Sequence, residues 1–338
     1  MIALRERMPL PAIPPVAKLS PLVLRVLGHN PGSFQLQGTN MYLVGNGRSR
    51  ILVDAGEGKD EDLPLLLKTM DENGCEGLSD VVITHYHHDH TEGIKHLRAH
   101  FGPDLNIWKL PWAPGVLVPW QKVEHGPSFD MTALGVKMLC DGQELKTAGA
   151  TLAALATPGH CIDHCCFRLL EEGALFSGDH VLGGSSGVFE DLQAYMRSLD
   201  RTLEALPKGG GGRIYPGHGV VVQDGHKGVC DYIANRKMRE KQVMDALGGR
   251  RMGLSPYGIV KAVYPSLSVT LRLAASSNVE RTLLKLEKEG RAEAYNLSPL
   301  RFGWLTPLLA VLGLGLPAPL KKVEFFGAVL LKRWRLVA

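Results

Sequence analysis

An apolar run, Asp80-Val81-Val82-Ile83-Thr84, opens directly onto five possible metal donors packed into six residues: His85, His87, His88, Asp89 and His90. No other stretch restricts the fold as much, because the chain must bring the end of a buried strand to a shared polar focus. Alternate residues of an extended segment point the same way, so His85 and His87 can grip one cation. The chain then turns, and Asp89 and His90 can face a second. Imidazole and carboxylate together suit Zn²⁺, with Mn²⁺ or Fe²⁺ as rivals. More donors close other apolar runs, each beside a glycine-rich turn: Thr157-Pro158-Gly159-His160, Ser177-Gly178-Asp179 and Tyr215-Pro216-Gly217-His218-Gly219. The glycines let backbone and ligand approach closely.

The surrounding pattern alternates short strands and helices. Leu22–Leu27, 40–44 and 50–53 read as strands, with Gly45-Asn46-Gly47 as a hairpin turn. Residues 60–73 read as a helix with acids in its first turn. The strands are too short and too closely spaced for one doubly wound sheet, so two layered sheets flanked by helices are expected. Residues 229–247 read as a helix closed by Gly248-Gly249, and a domain boundary is expected at 248–254. Beyond it, Ser255-Pro256 starts a helix as N-cap and first residue. Ser277-Asn278-Val279-Glu280 reads as a capping box opening a further helix that Gly290 closes, and 291–295 as a strand. Three short helices and a strand suggest a small winged-helix module.

With 338 residues, 45% apolar and 21% charged, the chain has the composition of a folded globular protein of one large or two unequal domains. Its six cysteines form no CxxC pair and read as reduced, intracellular thiols. Residues 1–21 read as a flexible leader. The stretch 304–320 is apolar and uncharged, but its three prolines and two glycines favour a loosely packed insertion or membrane-touching loop over a span. The net charge of +4 hides an asymmetry: 19 basic and 26 acidic residues lie in 1–225, against 19 and 8 in 226–338. A basic module behind an acidic one points to an anionic polymer as partner.

The ordered set Asp54, His85-x-His87-x-Asp89-His90, His160, Asp179 and His218 resembles the five motifs of the metallo-β-lactamase superfamily. The resemblance implies an α+β fold, a four-layer αβ/βα sandwich with a two-metal site between its sheets. By position, His85, His87 and His160 hold the first metal, Asp89, His90 and His218 the second, and Asp179 bridges them. Asp54 orients a ligand histidine. Two cations about 3.5–4 Å apart can share a hydroxide that attacks phosphorus or a carbonyl. Asp89 and His164 are the expected catalytic groups: Asp89 to steer or accept a proton, His164 to contact substrate or donate one, with a structural hydrogen bond as the alternative for His164. His88 is expected to point away, Cys161 to be a small buried hydrophobe, and His180 to stand behind the ligands. The remaining histidines read as ordinary.

Longer stretches, including Asn30-Pro31-Gly32, Leu36–Asn40, Tyr42–Gly45, Ser177–Leu182, Val188–Leu192, Tyr195–Leu199 and Tyr215–Val222, resemble the lactamase-beta-like-2 branch, whose animal members are mitochondrial endoribonucleases acting on single-stranded RNA. Leu283–Gly290 matches that branch's winged-helix-like domain, and Lys332-Arg333-Trp334-Arg335 its last strand. The expected organisation is a leader over 1–21, a catalytic domain over 22–248 and a winged-helix-like domain over 249–338, its wing interrupted by about 297–331. Tyr86, His88 and Cys161-Ile162 depart from the branch, which tends to have Trp, Arg and Thr-Asp there. The expected activity is endoribonucleolytic, in a mitochondrial, cytoplasmic or plastid setting. A small-molecule thioester hydrolase of the glyoxalase II type, and a non-catalytic RNA-binding protein with a structural metal site, are the alternatives.

Overall fold

Runs of Val, Ile and Leu on both sides of the histidine cluster build two sheets in the computed structural model, which describes residues 10–111, 134–208, 211–250, 252–267, 269–296 and 332–337. The first sheet takes its strands in chain order: β1 (Val16–Lys18), β2 (Val23–Leu27), β3 (Asn40–Val44), β4 (Ser49–Val53), β5 (Gly77–Ile83), β6 (Ile107–Lys109) and β7 (Lys137–Met138). Pairing is antiparallel from β1 to β4 and parallel from β4 to β7. Helices α1 (Asp62–Glu72), α2 (His88–Thr91) and α3 (Ile94–Phe101) intervene. The second sheet contains β8 (Glu144–Thr147), β9 (Ala150–Ala156), β10 (Cys165–Leu169), β11 (Ala174–Gly178) and β12 (Ile214–Pro216), in the spatial order β12-β11-β10-β9-β8. Helix α4 (Leu192–Ala205) and the first turns of α5 (Gly225–Leu247) follow β11 and β12.

Side-chain alternation explains the layering. Ile51 and Val53 of β4 join Val82, Leu152, Phe167, Phe176 and Tyr215 in a cluster shared by both sheets. Their neighbour Leu52 points the other way, with Val81 and Ile83, and meets Leu66 and Met70 of α1 and Leu97 of α3. On the far side, Leu155, Cys166 and Leu175 pack with Tyr195 and Leu199 of α4 and Val229 of α5. The result is the expected αβ/βα sandwich. Central strands buried on both faces read as unbroken apolar runs, which is how β5 appears in sequence.

Three expectations need correction. The leader is not featureless up to residue 21: β1 pairs with β2, the Leu27 amide donates to Pro15 O (2.8 Å), and the Arg25 guanidinium donates to Pro14 O (2.7 Å). A three-residue edge strand behind two prolines is too short to show alternation, and an edge tolerates proline. The boundary lies at Ile233/Ala234, inside α5, rather than at 248. The cause is Val243 and Leu247, which are buried with the C-terminal unit's own residues Ile259, Val260, Leu283, Leu286 and Trp334. Finally, α6 (Pro256–Val263) starts as expected, with Ser255 Oγ accepting from the Gly258 amide (3.1 Å), but α7 runs unbroken over Val269–Lys288. Ser277 lies mid-helix and its Oγ accepts from Arg281 (2.5 Å), while Ser276 and Thr282 donate to carbonyls one turn back. The apolar face that Ala275, Val279 and Leu283 share keeps the helix whole.

The second unit ends in two strands, β13 (Ala292–Asn296) and β14 (Lys332–Leu336), paired antiparallel from Ala292↔Leu336 to Asn296↔Lys332. The sequence between them, 297–331, including the apolar 304–320, lies outside the described residues. Among the described residues no helix is long and apolar enough to cross a membrane. Trp334 closes this unit's core at 0% exposure, and its backbone exchanges hydrogen bonds with Leu254. Trp334→Ala should therefore cost the C-terminal unit roughly 3–5 kcal/mol. Denaturant unfolding followed by circular dichroism checks this; an unchanged midpoint for that unit would contradict the packing described.

Candidate metal centre

Strands β4, β5, β9, β11 and β12 all end at one edge of the sandwich, and the turn after each carries a polar residue to it. Asp54, after β4, has a left-handed backbone (φ 60°), which Asp tolerates better than most residues. There its buried carboxylate accepts from the Thr84 amide (2.8 Å), the Thr84 hydroxyl (3.0 Å) and His90 Nδ1 (2.8 Å). With its proton committed to Asp54, Thr84 Oγ1 accepts from His85 Nδ1 (2.9 Å). His160 Nδ1 donates to Val188 O (2.9 Å), and His218 Nδ1 to Gly38 O (3.3 Å). Four rings are thus held by one nitrogen, so each Nε2 faces inward.

The inward atoms form two groups. In the first, His85 Nε2 and His160 Nε2 lie 2.9 and 3.1 Å from His87 Nδ1, and Asp179 Oδ2 is 3.8 Å from His160 Nε2. In the second, His218 Nε2 is 3.2 Å from Asp89 Oδ2, and His90 Nε2 is 3.7 Å from it. Asp179 Oδ1 reaches the second group as well, 3.3 Å from His218 and 3.5 Å from His90, so its two oxygens face different groups. Gly217 makes this approach possible: a Cβ there would stand 2.6 Å from Asp179 Oδ1.

The donors fit cations. His90 Nε2 and Asp179 Oδ1 are buried without a hydrogen-bond partner, which is costly unless an ion takes their lone pairs. Burial, reinforced by neighbouring rings, pushes His85 well below its usual value; burial likewise lowers His160, and lowers His87 to about 3. Lowered in this way, these three favour the neutral form, in which an imidazole can ligate a cation. Burial also opposes charge in the second group, but the acids overcome it: Asp54, Asp89 and Asp179 raise His90 well above its usual value, and Asp179 and Asp89 raise His218 to about 9. His218 and His90 in turn hold Asp179 well below the carboxylate range despite its burial. Cation binding there must displace protons.

The residues predicted as ligands, His85, His87, Asp89, His90, His160, Asp179 and His218, all converge here, and Asp54 stands behind His90. His164 is placed differently from its catalytic reading. It is fully buried, and because Thr157 Oγ1 donates to Cys166 Sγ (3.2 Å), His164 Nδ1 donates to Thr157 (2.8 Å), while its Nε2 accepts from the Asp179 amide (3.2 Å). Both nitrogens are engaged, so the ring steadies Asp179 and has no proton left for a substrate. His88 lines a cleft and belongs to neither donor group, and His180 lies behind them against Tyr195. Gln35, not singled out in the sequence, donates to Asp89 Oδ2 (3.4 Å). Thr84 and Thr157 were also missed, although each is fixed beside a ligand motif.

A family model described as the metallo-beta-lactamase superfamily matches residues 35–218, the span that contains Asp54 and all seven donor residues. The chain belongs to the metallo-β-lactamase superfamily. A beta-lactamase associated winged helix domain matches residues 255–297. Among curated relatives, a beta-lactamase-like protein 2 homolog of Caenorhabditis elegans is 38% identical over 281 residues, 83% of this chain and 89% of that protein. An atrochrysone carboxyl ACP thioesterase of Aspergillus chevalieri is 41% identical over 241 residues, 70% of each chain. A beta-lactamase domain protein from Burkholderia ambifaria has the same fold, with a TM-score of 0.67 at 19% identity, covering 87% of this chain and 94% of its own. This metallo-β-lactamase-family chain thus combines a hydrolase fold with a His/Asp cluster compatible with a dinuclear centre.

Asp54 holds His90 directly and His85 only through the Thr84 hydroxyl, so its loss should act mainly on the second group. Asp54→Ala is expected to weaken one of two bound cations by about 10- to 100-fold and the other by less. Chelator competition against Zn²⁺ measures both affinities; equal weakening of both, or of neither, would contradict the assignment.

Proposed function

We propose that this metallo-β-lactamase-family protein is a two-metal hydrolase that cleaves single-stranded RNA internally. The reading rests on the charge of the region behind the catalytic fold: residues 226–338 carry 19 basic against 8 acidic side chains. Lys and Arg in such excess neutralise phosphates and tether a strand. The cleft beside Asp89 supports the same substrate class. It has about 400 Å³ and is lined by His29, Asn30, Gln35, Glu57, Lys59 and His88, with Pro31 as the apolar exception. That lining suits a nucleotide chain better than an acyl chain.

A pair of divalent cations supplies Lewis acidity, making water acidic enough to yield a nucleophile near neutral pH and offsetting charge on the reacting phosphate. The protein's residues do the rest. His85, His87 and His160 would hold one cation, Asp89, His90 and His218 the other, with Asp179 between them. Asp89, at the cleft side and touched by Gln35 (3.4 Å), would orient a water and accept its proton. Asp54, Thr84 and the Val188 and Gly38 carbonyls keep the imidazoles in the ligating tautomer.

One observation favours a second reading. The relative from Aspergillus chevalieri is named a thioesterase and is 41% identical. The same centre can activate water toward a thioester carbonyl, as in the glyoxalase II type of hydrolase.

A panel of single-stranded RNA, single-stranded DNA and an acyl-glutathione separates the two. Cleavage of RNA should dominate, vanish on chelation and in His87→Ala, and weaken by more than about tenfold between 50 and 200 mM salt. Thioester turnover far exceeding RNA cleavage, or RNA cleavage surviving His87→Ala, would overturn the proposal.

A further inference from the structure

Behind the three-histidine group lies a buried polar chain that the reaction does not use. Lys109, the last residue of β6, pairs its ammonium with Asp163 Oδ2; both side chains are fully buried. Asp163 belongs to the turn between β9 and β10 that also carries His160. Its other oxygen accepts from the Cys161 thiol (3.1 Å), and Cys161 is itself fully buried directly after His160. The Cys161 sulfur in turn receives the backbone amide of Tyr86, the residue between His85 and His87. A further link ties the same loops, from the Cys165 amide to Thr84 O (2.8 Å).

Charges so deep are retained only when paired. Here the pair spans the two sheets: Lys109 closes a strand of the first, and Asp163 follows a strand of the second. Lys109 neutralises the Asp163 carboxylate, which belongs to neither donor group. Asp163, so fixed, takes the thiol's hydrogen and leaves the Cys161 sulfur to accept from the Tyr86 amide. We infer that Lys109, Asp163 and Cys161 form a positioning strut that sets the distance between His160 and the His85/His87 pair, and thereby the affinity of that group for its cation. Cys161 is then more than the small hydrophobe its sequence context suggested, because it both donates and accepts. The strut concerns cation binding and holds whether the substrate is RNA or a thioester.

Three full-length variants test it. Cys161→Thr keeps a donor and an acceptor at the site, Cys161→Val keeps the bulk but loses both, and Lys109→Met with Asp163→Leu replaces the ion pair by apolar side chains. Each is stripped and titrated with Zn²⁺ against a chelator, and its metal-free melting is followed by circular dichroism. Cys161→Val should weaken one of the two cations 10- to 100-fold while melting close to the natural chain. Cys161→Thr should restore the affinity, and the double variant should behave like Cys161→Val. Natural affinity at both sites in Cys161→Val, or equal losses in Cys161→Val and Cys161→Thr, would overturn the inference. If the valine variant fails to fold, Cys161→Ala read against Cys161→Ser gives the same comparison: loss with alanine and retention with serine support the strut, and equal behaviour refutes it.

Discussion

The site depends on a single device used four times: a histidine ring held at Nδ1 by an oxygen of the fold. Asp54, Thr84, Val188 and Gly38 each hold one ring and so turn an Nε2 lone pair inward. An imidazole offers either nitrogen, and in water the choice is nearly free; the anchoring oxygen removes it. These anchors come from the ends of β4 and β5 and from the loops after β2 and β11. Two sheets must therefore pack before the nitrogens converge. The Tyr42, Val53, Phe176 and Tyr215 cluster does that packing between the sheets, so the site is a consequence of the sandwich core.

Burial gives the device its strength and its cost. Buried imidazoles around His85 are neutral and ready to ligate, whereas those beside Asp89 and Asp179 hold protons. The protein thus presents one neutral group and one acid-rich group, joined by a carboxylate that reaches both. That asymmetry would suit two cations, one held mainly by the imidazoles of His85, His87 and His160 and the other by the mixed nitrogen and oxygen donors of His90, His218 and Asp89.

Much of this was legible in the chain. The donor set is contiguous or sits at strand ends beside glycines, and it converges as its spacing implies. The sandwich follows from strand runs such as 80–84, whose two buried faces leave no alternation. What escaped reading depended on partners remote in sequence. His164 reads equally as a substrate contact and as a structural hydrogen bond until Thr157 and Cys166 fix the direction of its hydrogen bonds. Ser277-Asn278-Val279-Glu280 has the composition of a helix start, yet the apolar face of α7 runs straight through it. The boundary inside α5 shows only once Val243 and Leu247 are seen in the C-terminal core. Lys109 and Asp163 lie 54 residues apart, and nothing local links them.

Anomalous diffraction from crystals of the Zn²⁺-loaded full-length chain, recorded on either side of the zinc edge, tests the central claim most directly. Two peaks about 3.5–4 Å apart are expected, one among His85, His87 and His160 and one among Asp89, His90 and His218, with Asp179 touching both. A single peak, or a second ion bound away from these seven side chains, would contradict it.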